Sequence, residues 1–531
     1  MTSVAVSAPR AVESGKFALL LTASLVSSLI MLDSNIVAVS LPAMGRSIGA
    51  SFTGLQWVIS AYVLTYAALL MAAGAYADLH GRKRAMLIGL AVFASASLGV
   101  GLAKSTAMIE AARAAQGVGG AFLLTASLAI ISHDFTGEAR SKAIAFWGSS
   151  LGIALAIGPV LGGAITAFVG WRWVFLVNLP LCGILIFATV KVVTESKDPE
   201  AKGLDYEGVL SFSLGLAVLI WALIDGNDAG WASPSIITRL AAALALFVVF
   251  VLVERRRPHP MVDLKLFRRQ TFIGAVAAMI GYGASAQVMI FFLPSYLQNA
   301  YGFPPFTAGL AMLPFALPMV AAPRVISFLA LRYSGRALLS GGLLLTAVGD
   351  LAFWQIANHH LGYFLFVICM LITGCGAGLL NGQTVKVLSG AVPPNRAGMA
   401  SGLASTTRFI GILVAVAGLG AVLSSSINAA FAHAAAKLSL SPGAAEAAAK
   451  RITAGDLAGL LASLPDAAKE PVRQAGLQAF GGGFSIAALV AAAVALIAAG
   501  LTYRLVRRED TAPPAATSKV HCAAIDCRSP L

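Results

Sequence analysis

The chain has 531 residues, 58% of them hydrophobic and only 11% charged, with a mean hydropathy of +0.84. Soluble domains carry about 25% charged residues, so this composition excludes a soluble globular protein and points to a polytopic membrane protein. The net charge of +14 is spread over the loops between apolar runs, which speaks for the positive-inside rule and contact with anionic lipid and against a nucleic-acid partner.

Residues 1–16 are short and polar and are expected to be a cytoplasmic N-terminal segment. The run after Lys16 is too long for a signal h-region and has no small-residue cleavage site, so the first helix is expected to double as the insertion signal. That run, Phe17 to Leu41, reads FALLLTASLVSSLIMLDSNIVAVSL and carries a single acid, Asp33. At about 1.5 Å per residue it crosses a hydrocarbon core of roughly 30 Å. If the chain starts in the cytoplasm, Asp33 lies about 12 Å below the outer end. A carboxylate in hydrocarbon costs several kcal/mol unless it is protonated, paired or facing a water-filled cavity. An acid that takes up and releases a proton there is the simplest device for coupling transport to a proton gradient; the alternative is an acid near a helix end that snorkels to the headgroups.

Fourteen spans are predicted, starting near Phe17, Leu55, Ala85, Ala107, Ala143, Val174, Gly208, Ile236, Phe272, Phe306, Ala337, Tyr363, Gly398 and Phe484. The loops this places inside are basic, among them HGRKR (80–84), RYSGR (332–336) and RLVRRED (504–510), while the outer loops carry chiefly Arg46, Lys104 and Arg172. Both termini are then cytoplasmic. HGRKRAML after the second span has a counterpart, YSGRALL, after the tenth. The predicted organisation is a six-helix bundle over 17–195, two inserted helices over 206–255, a second six-helix bundle over 271–504, and a cytoplasmic tail over 505–531. Transporters built from such repeats place their site between the halves near the midplane. The one long outer segment, 422–480, is Ala-rich, and Ser441 and Asp456 are set to start short helices there. It reads either as a cap over the exit or as loop decoration.

Arg113 lies in the fourth span at the depth expected for Asp33, about 10 Å below the outer surface. A buried guanidinium needs an acceptor and a buried carboxylate needs a cation or a proton, so the two are natural partners. Gln116, at i+3 on the same helix face, can bridge them. Protonating Asp33 releases Arg113, a two-state electrostatic switch; the plainer reading is a structural salt bridge. In the loop GAYADLHGRKRAM (74–86), Gly74 and Gly81 allow close approach and a tight turn. Asp78 is expected at the positive end of the third helix's dipole, and Arg82, Lys83 and Arg84 are free to latch onto acids in other loops. In GSSLGIALAIGPVLGG (148–163), Gly148 and Gly152 are four apart and Gly158-Pro159 precedes Gly162-Gly163, a pattern for close helix packing with a proline bend. Cys182, Cys369 and Cys375 sit inside apolar runs, and Cys522 and Cys527 have no ligand-spaced partners, so neither a disulfide framework nor a metal site is expected.

Together these pieces resemble the major facilitator superfamily, in particular its fourteen-helix drug:proton antiporter branch. LDSNIVAVSLP (32–42) is similar to that branch's first-helix motif, and Gln56-Trp57 with Ala61-Tyr62 to its second-helix pattern. GAYADLHGRKR resembles the superfamily loop motif, with Tyr76 where Leu is usual and Leu79 where Arg is usual. Arg113-x-x-Gln116-Gly117 resembles the fourth-helix motif used in proton translocation, and Gly158-Pro159-x-x-Gly162-Gly163 the fifth-helix motif of antiporters. WRWVFLVNLP (171–180), LPSYLQNAYGFPPFTAGLAMLP (293–314) and STTRFIG (405–411) extend the likeness over nearly the whole chain. In the second-half loop, Arg332 stands where the first half has Asp78.

The resemblance implies an all-α membrane protein with fourteen transmembrane helices, two pseudo-symmetric six-helix bundles plus two inserted central helices. It also implies a proton-coupled exporter of amphiphilic small molecules in the inner membrane. Asn35, Trp57, Tyr62, Asn381 and Gln383 are candidate cavity residues by position. Asp350 in the eleventh span is either a second protonation or cation site or a terminus residue, and Arg408 either lines the cavity or is structural. Arg408 and Lys386 in the cavity would favour anionic or neutral substrates. No phosphate-loop pattern argues for a primary pump and no catalytic constellation for an enzyme; His359-His360 lacks a nucleophile. The expectation is a transporter with no cofactor, driven by protons, with lipids around it and a monomer as its unit. A facilitator or metabolite exporter, and a non-transporting scaffold, are the competing classes.

Overall fold

The computed structural model describes residues 8–199, 203, 205–257, 262–359, 362–392, 397–438 and 441–511. His360, Cys522, Cys527 and the tail sequence beyond Thr511 lie outside the described residues.

Among the described residues, fourteen helices are long and apolar enough to cross a membrane. They are α1 (Gly15–Ile48), α2 (Phe52–His80), α3 (Arg82–Gly101), α4 (Thr106–Asp134), α5 (Gly137–Phe168), α6 (Trp173–Val192) and α7 (Tyr206–Ala229). The series continues with α8 (Pro234–Arg256), α9 (Gln270–Asn299), α10 (Pro305–Ala322), α11 (Gly335–Asn358), α12 (Tyr363–Gly390), α13 (Gly402–Lys437) and α14 (Asp466–Leu505). Several begin a turn before the apolar run because a polar residue caps them. Ser51 accepts from Gly54 N at 3.1 Å, Ser105 from Met108 N at 3.3 Å and Asp205 from Gly208 N at 3.0 Å. α6 is interrupted at Val177, and α9 carries a π-helical turn at Gly283–Gln287.

Much of the segment expected as an outer loop, 422–480, is continuous helix: α13 runs on to Lys437 and α14 begins at Asp466. Alanine-rich helix ends are good helix formers but too weakly apolar for a hydropathy reading to claim. Between them lie two short helices, Pro442–Thr453 and Leu457–Ala462, capped by Ser441 and Asp456. Their connecting turn is wedged between two other helices. Arg46 of α1 donates to Gly455 O at 3.3 Å, and a Cβ on Gly455, whose φ is +81°, would fall 2.9 Å from Asn299 Nδ2 of α9.

The packing repeats with a shift of eight helices. In the first half α2 and α3 pack on α4, α5 on α1 and α6 on α3; in the second α10 and α11 pack on α12, α13 on α9 and α14 on α11. α7 and α8 pair with each other, and α7 lies against α2 and α13. Glycines set the register of both halves. A Cβ on Gly119 would fall 2.9 Å from both Gly89 O and Phe93 N of α3, and a Cβ on Gly376 2.8 Å from both Gly342 O and Thr346 N of α11. Likewise Gly117 abuts the Tyr62 carbonyl of α2 and Gly374 the Phe315 carbonyl of α10, while Gly162 abuts Ile36 and Gly411 abuts Ile280. The two halves therefore share one packing register along these helices.

Between the halves, contacts are unequal at the two ends. At the end marked by Gly49, Gln298 Nε2 donates to Val39 O at 2.8 Å, Gly163 abuts the Pro305 carbonyl and Gly309 the Pro159 carbonyl. At the end marked by Gly81, α5 is exposed around most of its circumference from 138 to 150, although α2 and α13 still touch through Gly402 and Met71.

Candidate functional site

Four helices bring one polar cluster together inside the first half. Asp33 of α1 accepts from Arg113 Nη1 at 2.6 Å on one carboxylate oxygen, and from Gln116 Nε2 at 2.9 Å and Asn178 Nδ2 at 2.8 Å on the other. Arg113 Nη1 also donates to Gln116 Oε1 at 2.7 Å, its Nε donates to Val58 O at 3.1 Å, and its guanidinium lies 4.1 Å from the centre of the Tyr62 ring. Ser97 of α3 accepts from Gln116 at 2.9 Å and from Asn178 at 3.3 Å. Asp33 and Arg113 are each 1% exposed. Both carboxylate oxygens and the Nε and Nη1 groups of the guanidinium thus have charge-assisted partners, the condition under which a buried pair is tolerated, and losing one member typically costs about 3–5 kcal/mol. The i, i+3 spacing of Arg113 and Gln116 puts both on one face of α4, where each reaches Asp33.

Asn178 and Ser97 were not among the sequence-derived site residues. The signal for Asn178 was an amide inside the apolar run WRWVFLVNLP, and the interruption at Val177 puts it at the start of the longer segment of α6.

The loop between α2 and α3 differs from its sequence reading. Asp78 belongs to the last turn of α2, not the start of α3, and its Oδ1 accepts from Arg82 Nε at 3.1 Å and Nη2 at 2.9 Å. The acid at the N-terminus of α3 is Glu195, which accepts from the Lys83 and Arg84 backbone N–H groups at 3.0 and 3.1 Å. Lys83 Nζ donates to Val190 O at 2.9 Å rather than to an acid. Gly81 has φ +119°, and a Cβ there would fall 2.6 Å from the Glu195 carboxyl, so this position needs glycine. Gly74 does not need to be one: its nearest neighbour would be Thr125 at 3.6 Å, an ordinary contact.

The glycines of α5 divide in two. A Cβ on Gly158 would fall 2.7 Å from Asn35 Cβ and one on Gly162 2.6 Å from Ile36 O, both on α1, while Gly163 meets α10. Gly148 and Gly152 have nothing within 4 Å, so the close packing expected of them is absent. Pro159 lies within the α5 helix.

The candidate cavity residues scatter. Asn35 donates to Met31 O of its own helix at 2.6 Å and backs onto Gly158; Tyr62 is the plate under Arg113; Trp57 is half-buried. Gln383 is buried. Arg408 of α13 donates to Asn381 of α12 at 3.3 Å and keeps its Nε buried without a partner among the described residues; the adjacent Phe409 packs edge-on against Tyr66 of α2 at 4.6 Å, and the Arg408 carbonyl abuts Gly283, next to Tyr282 of α9. Both tyrosine hydroxyls are buried without partners among the described residues. Two helices of the second half, α13 and α9, and one of the first, α2, therefore carry unpaired polar groups around this contact. Sequence position did not distinguish Tyr66 or Tyr282 from the other aromatic residues. Asp350 is wholly buried in α11, away from a helix end, and neither of its oxygens has a partner among the described residues.

The model of the Major Facilitator Superfamily matches residues 23–416. The chain belongs to that superfamily. This superfamily member is a transporter rather than an enzyme and a multi-pass membrane protein. It is 36% identical over 402 residues to the multidrug resistance protein Stp of Mycobacterium tuberculosis, covering 76% of this chain and 74% of that one. It is 32% identical over 486 residues to the multidrug efflux pump LfrA of Mycolicibacterium smegmatis, covering 90% and 94%. Among solved structures, a bacterial homologue of the human lysosomal transporter Spinster, inward-facing and unoccupied, aligns with a TM-score of 0.62 at 17% identity over 96% of this chain and 100% of that one. At that identity the likeness is one of fold.

Proposed function

We propose that this superfamily member is a proton-coupled exporter of amphiphilic small molecules, working by alternating access in the inner membrane with its Gly81 end and both termini in the cytoplasm. The observation that carries the reading is the Asp33 cluster. A carboxylate held by a guanidinium and two amides is stable while charged; adding a proton removes the charge that holds Arg113 and leaves the guanidinium to its weaker contacts with Gln116, Val58 and Tyr62. Because the network ties α1 to α3, α4 and α6, its protonation state biases how α1 sits in the bundle. α1 is the helix against which Gly158 and Gly162 of α5 pack, and α5 in turn meets α10 of the other half. One proton is thereby linked to the contact between the two halves.

The export direction and the drug substrates rest on the names of the relatives, one a multidrug resistance protein and one a multidrug efflux pump. The basic loops 80–84 and 332–336 support the orientation. Arg408, Asn381, Tyr66 and Tyr282 form the substrate contact between the halves. Their unpaired donors and the positive charge favour neutral or anionic molecules with hydrogen-bond acceptors over dications.

The test is uptake into proteoliposomes holding the purified protein, with and without an imposed pH gradient, for one anionic, one neutral and one cationic lipophilic drug. Gradient-driven movement of the neutral or anionic compound supports the reading. Movement that ignores the gradient indicates a facilitator, and movement of the cation alone removes the assignment at Arg408.

A further inference from the structure

The register of the two halves carries a comparison that neither half shows alone. Gly89 and Phe93 of α3 correspond to Gly342 and Thr346 of α11, because Gly119 and Gly376 pack on them in the same way. Four residues further along, Ser97 corresponds to Asp350. By the same logic Gly117 and Gly374 match Gln116 to Thr373 and Arg113 to Met370, and Ile36 and Ile280 match Asp33 to Ala277. The first half thus has its acid on α1 with a guanidinium beside it. The second half has no acid on the equivalent helix and Met370 in place of the guanidinium, but places a carboxyl where Ser97 closes the first-half cluster.

The surroundings of Asp350 are the inverse of those of Asp33. Its side chain has no exposed surface and accepts no hydrogen bond from the described residues, and the neighbouring Thr373 hydroxyl is likewise buried with no partner among them. A Cβ on Gly349 would collide with that hydroxyl, so α11 and α12 are in close contact beside the carboxyl. The helices packed on α11 are α9, α12 and α14. Between Gln270 and Asn299, α9 has no charged residue, only Tyr282 and Tyr296 as titratable groups. α14 has none from Ala475 to Leu501. α12 offers Tyr363, Cys369 and Cys375, with Lys386 in its last turns, and α11 itself adds Arg336 in its first turn, about 21 Å along the helix from Asp350.

We propose that Asp350 is a second proton-binding site, the second half's counterpart of the Asp33 cluster, and that it holds its proton in this conformation. An unpaired carboxylate without exposed surface or cation is not sustainable in an apolar bundle, and a proton is the ligand that fits where the side chain is already enclosed. The site loads when a carboxylate oxygen forms an O–H bond with a proton from water. It unloads when that bond breaks back to water, which requires the α11–α12 contact at Gly349 and Thr373 to part. In this conformation one half holds an acid bound by a guanidinium and two amides and the other a neutral acid without any donor among the described residues. The role in transport rests on the proton-coupled reading above; the protonation itself does not.

The test is infrared difference spectroscopy on the purified full-length protein across a pH titration, for wild type, Asp350→Asn and Asp33→Asn. The expected result is a protonated-carboxyl C=O band at neutral pH that Asp350→Asn removes and Asp33→Asn leaves in place. Absence of the band in wild type, or its survival in Asp350→Asn, overturns the proposal. Should Asp350→Asn not fold, Asp350→Glu keeps the acid and is expected to shift the band, and an unshifted band overturns the assignment. In proteoliposomes, the reversal potential of transport is expected to report one proton fewer per substrate in Asp350→Asn. An unchanged stoichiometry with the band present overturns the transport role. Loss of gradient-driven transport in wild type refutes the proton-coupled reading, and the band still decides Asp350.

Discussion

Gly162→Ala and Gly148→Ala change the same residue type in the same helix and should have opposite consequences. A Cβ at Gly162 falls 2.6 Å from Ile36 O and 2.9 Å from Ile36 Cα, both backbone atoms of α1 that no rotamer change can move aside. Restoring an ordinary separation of 3.4 Å to the carbonyl displaces α1 from α5 by roughly 0.8 Å. Overpacking of this kind costs about 1–3 kcal/mol. Ile36 lies within one turn of Asp33, so the displacement also strains the 2.6 Å bond to Arg113. At Gly148 nothing lies within 4 Å, and alanine gains about 0.5–1 kcal/mol of helix propensity. The assay is thermal unfolding of the purified variants in detergent, followed by gradient-driven transport. Gly162→Ala is expected to melt lower and lose transport, and Gly148→Ala to melt at or slightly above wild type and keep it. Equal effects from the two would refute the packing assigned to α5.

Two further outcomes follow from the same geometry. Asn178→Ala removes a 2.8 Å donor from the Asp33 carboxylate and should cost about 1.5–3 kcal/mol, read as a lower melting temperature, whereas Asn178→Ser in the same assay should recover part of the loss. An Asn178→Ala protein that melts like wild type would show that α6 does not hold the acid. Glu195→Gln removes the charge at the start of α3 and should cost about 0.3–1 kcal/mol, with faster hydrogen exchange at the Lys83 and Arg84 amides. Unchanged exchange there would mean that these amides do not depend on the carboxylate.

The fourteen spans and the Asp33–Arg113–Gln116 association were legible in the sequence because each leaves a local mark. Twenty apolar residues announce a span, and a lone acid and a lone guanidinium in such spans at matched depth announce each other. What was not legible depended on tertiary register. Asp78 and Glu195 are both acids near the α2–α3 turn, and only the path of the chain after α6 decides which one meets the α3 amides. Gly148 and Gly162 look equivalent in the sequence, yet only the second faces a neighbour's backbone. Ser97 and Tyr66 carry no signal of their own, since buried serines and tyrosines abound in apolar runs. The extent of α13 and α14 was hidden by alanine, which forms helix without raising hydropathy enough to extend a span. The correspondence of Asp350 with Ser97 required both halves to be seen packed, because the glycine contacts, and not a residue type shared at that position, set the register.

Proton coupling at Asp33 is most directly tested by comparing two modes of transport in one preparation. Wild type and Asp33→Asn are reconstituted into liposomes and assayed for uptake driven by a pH gradient and for substrate exchange without one. The expected result is that Asp33→Asn, which keeps the shape of the side chain but cannot cycle a proton, retains exchange and loses gradient-driven accumulation. Accumulation that persists in Asp33→Asn would contradict the proposal and leave the Asp33–Arg113 pair as a structural bond.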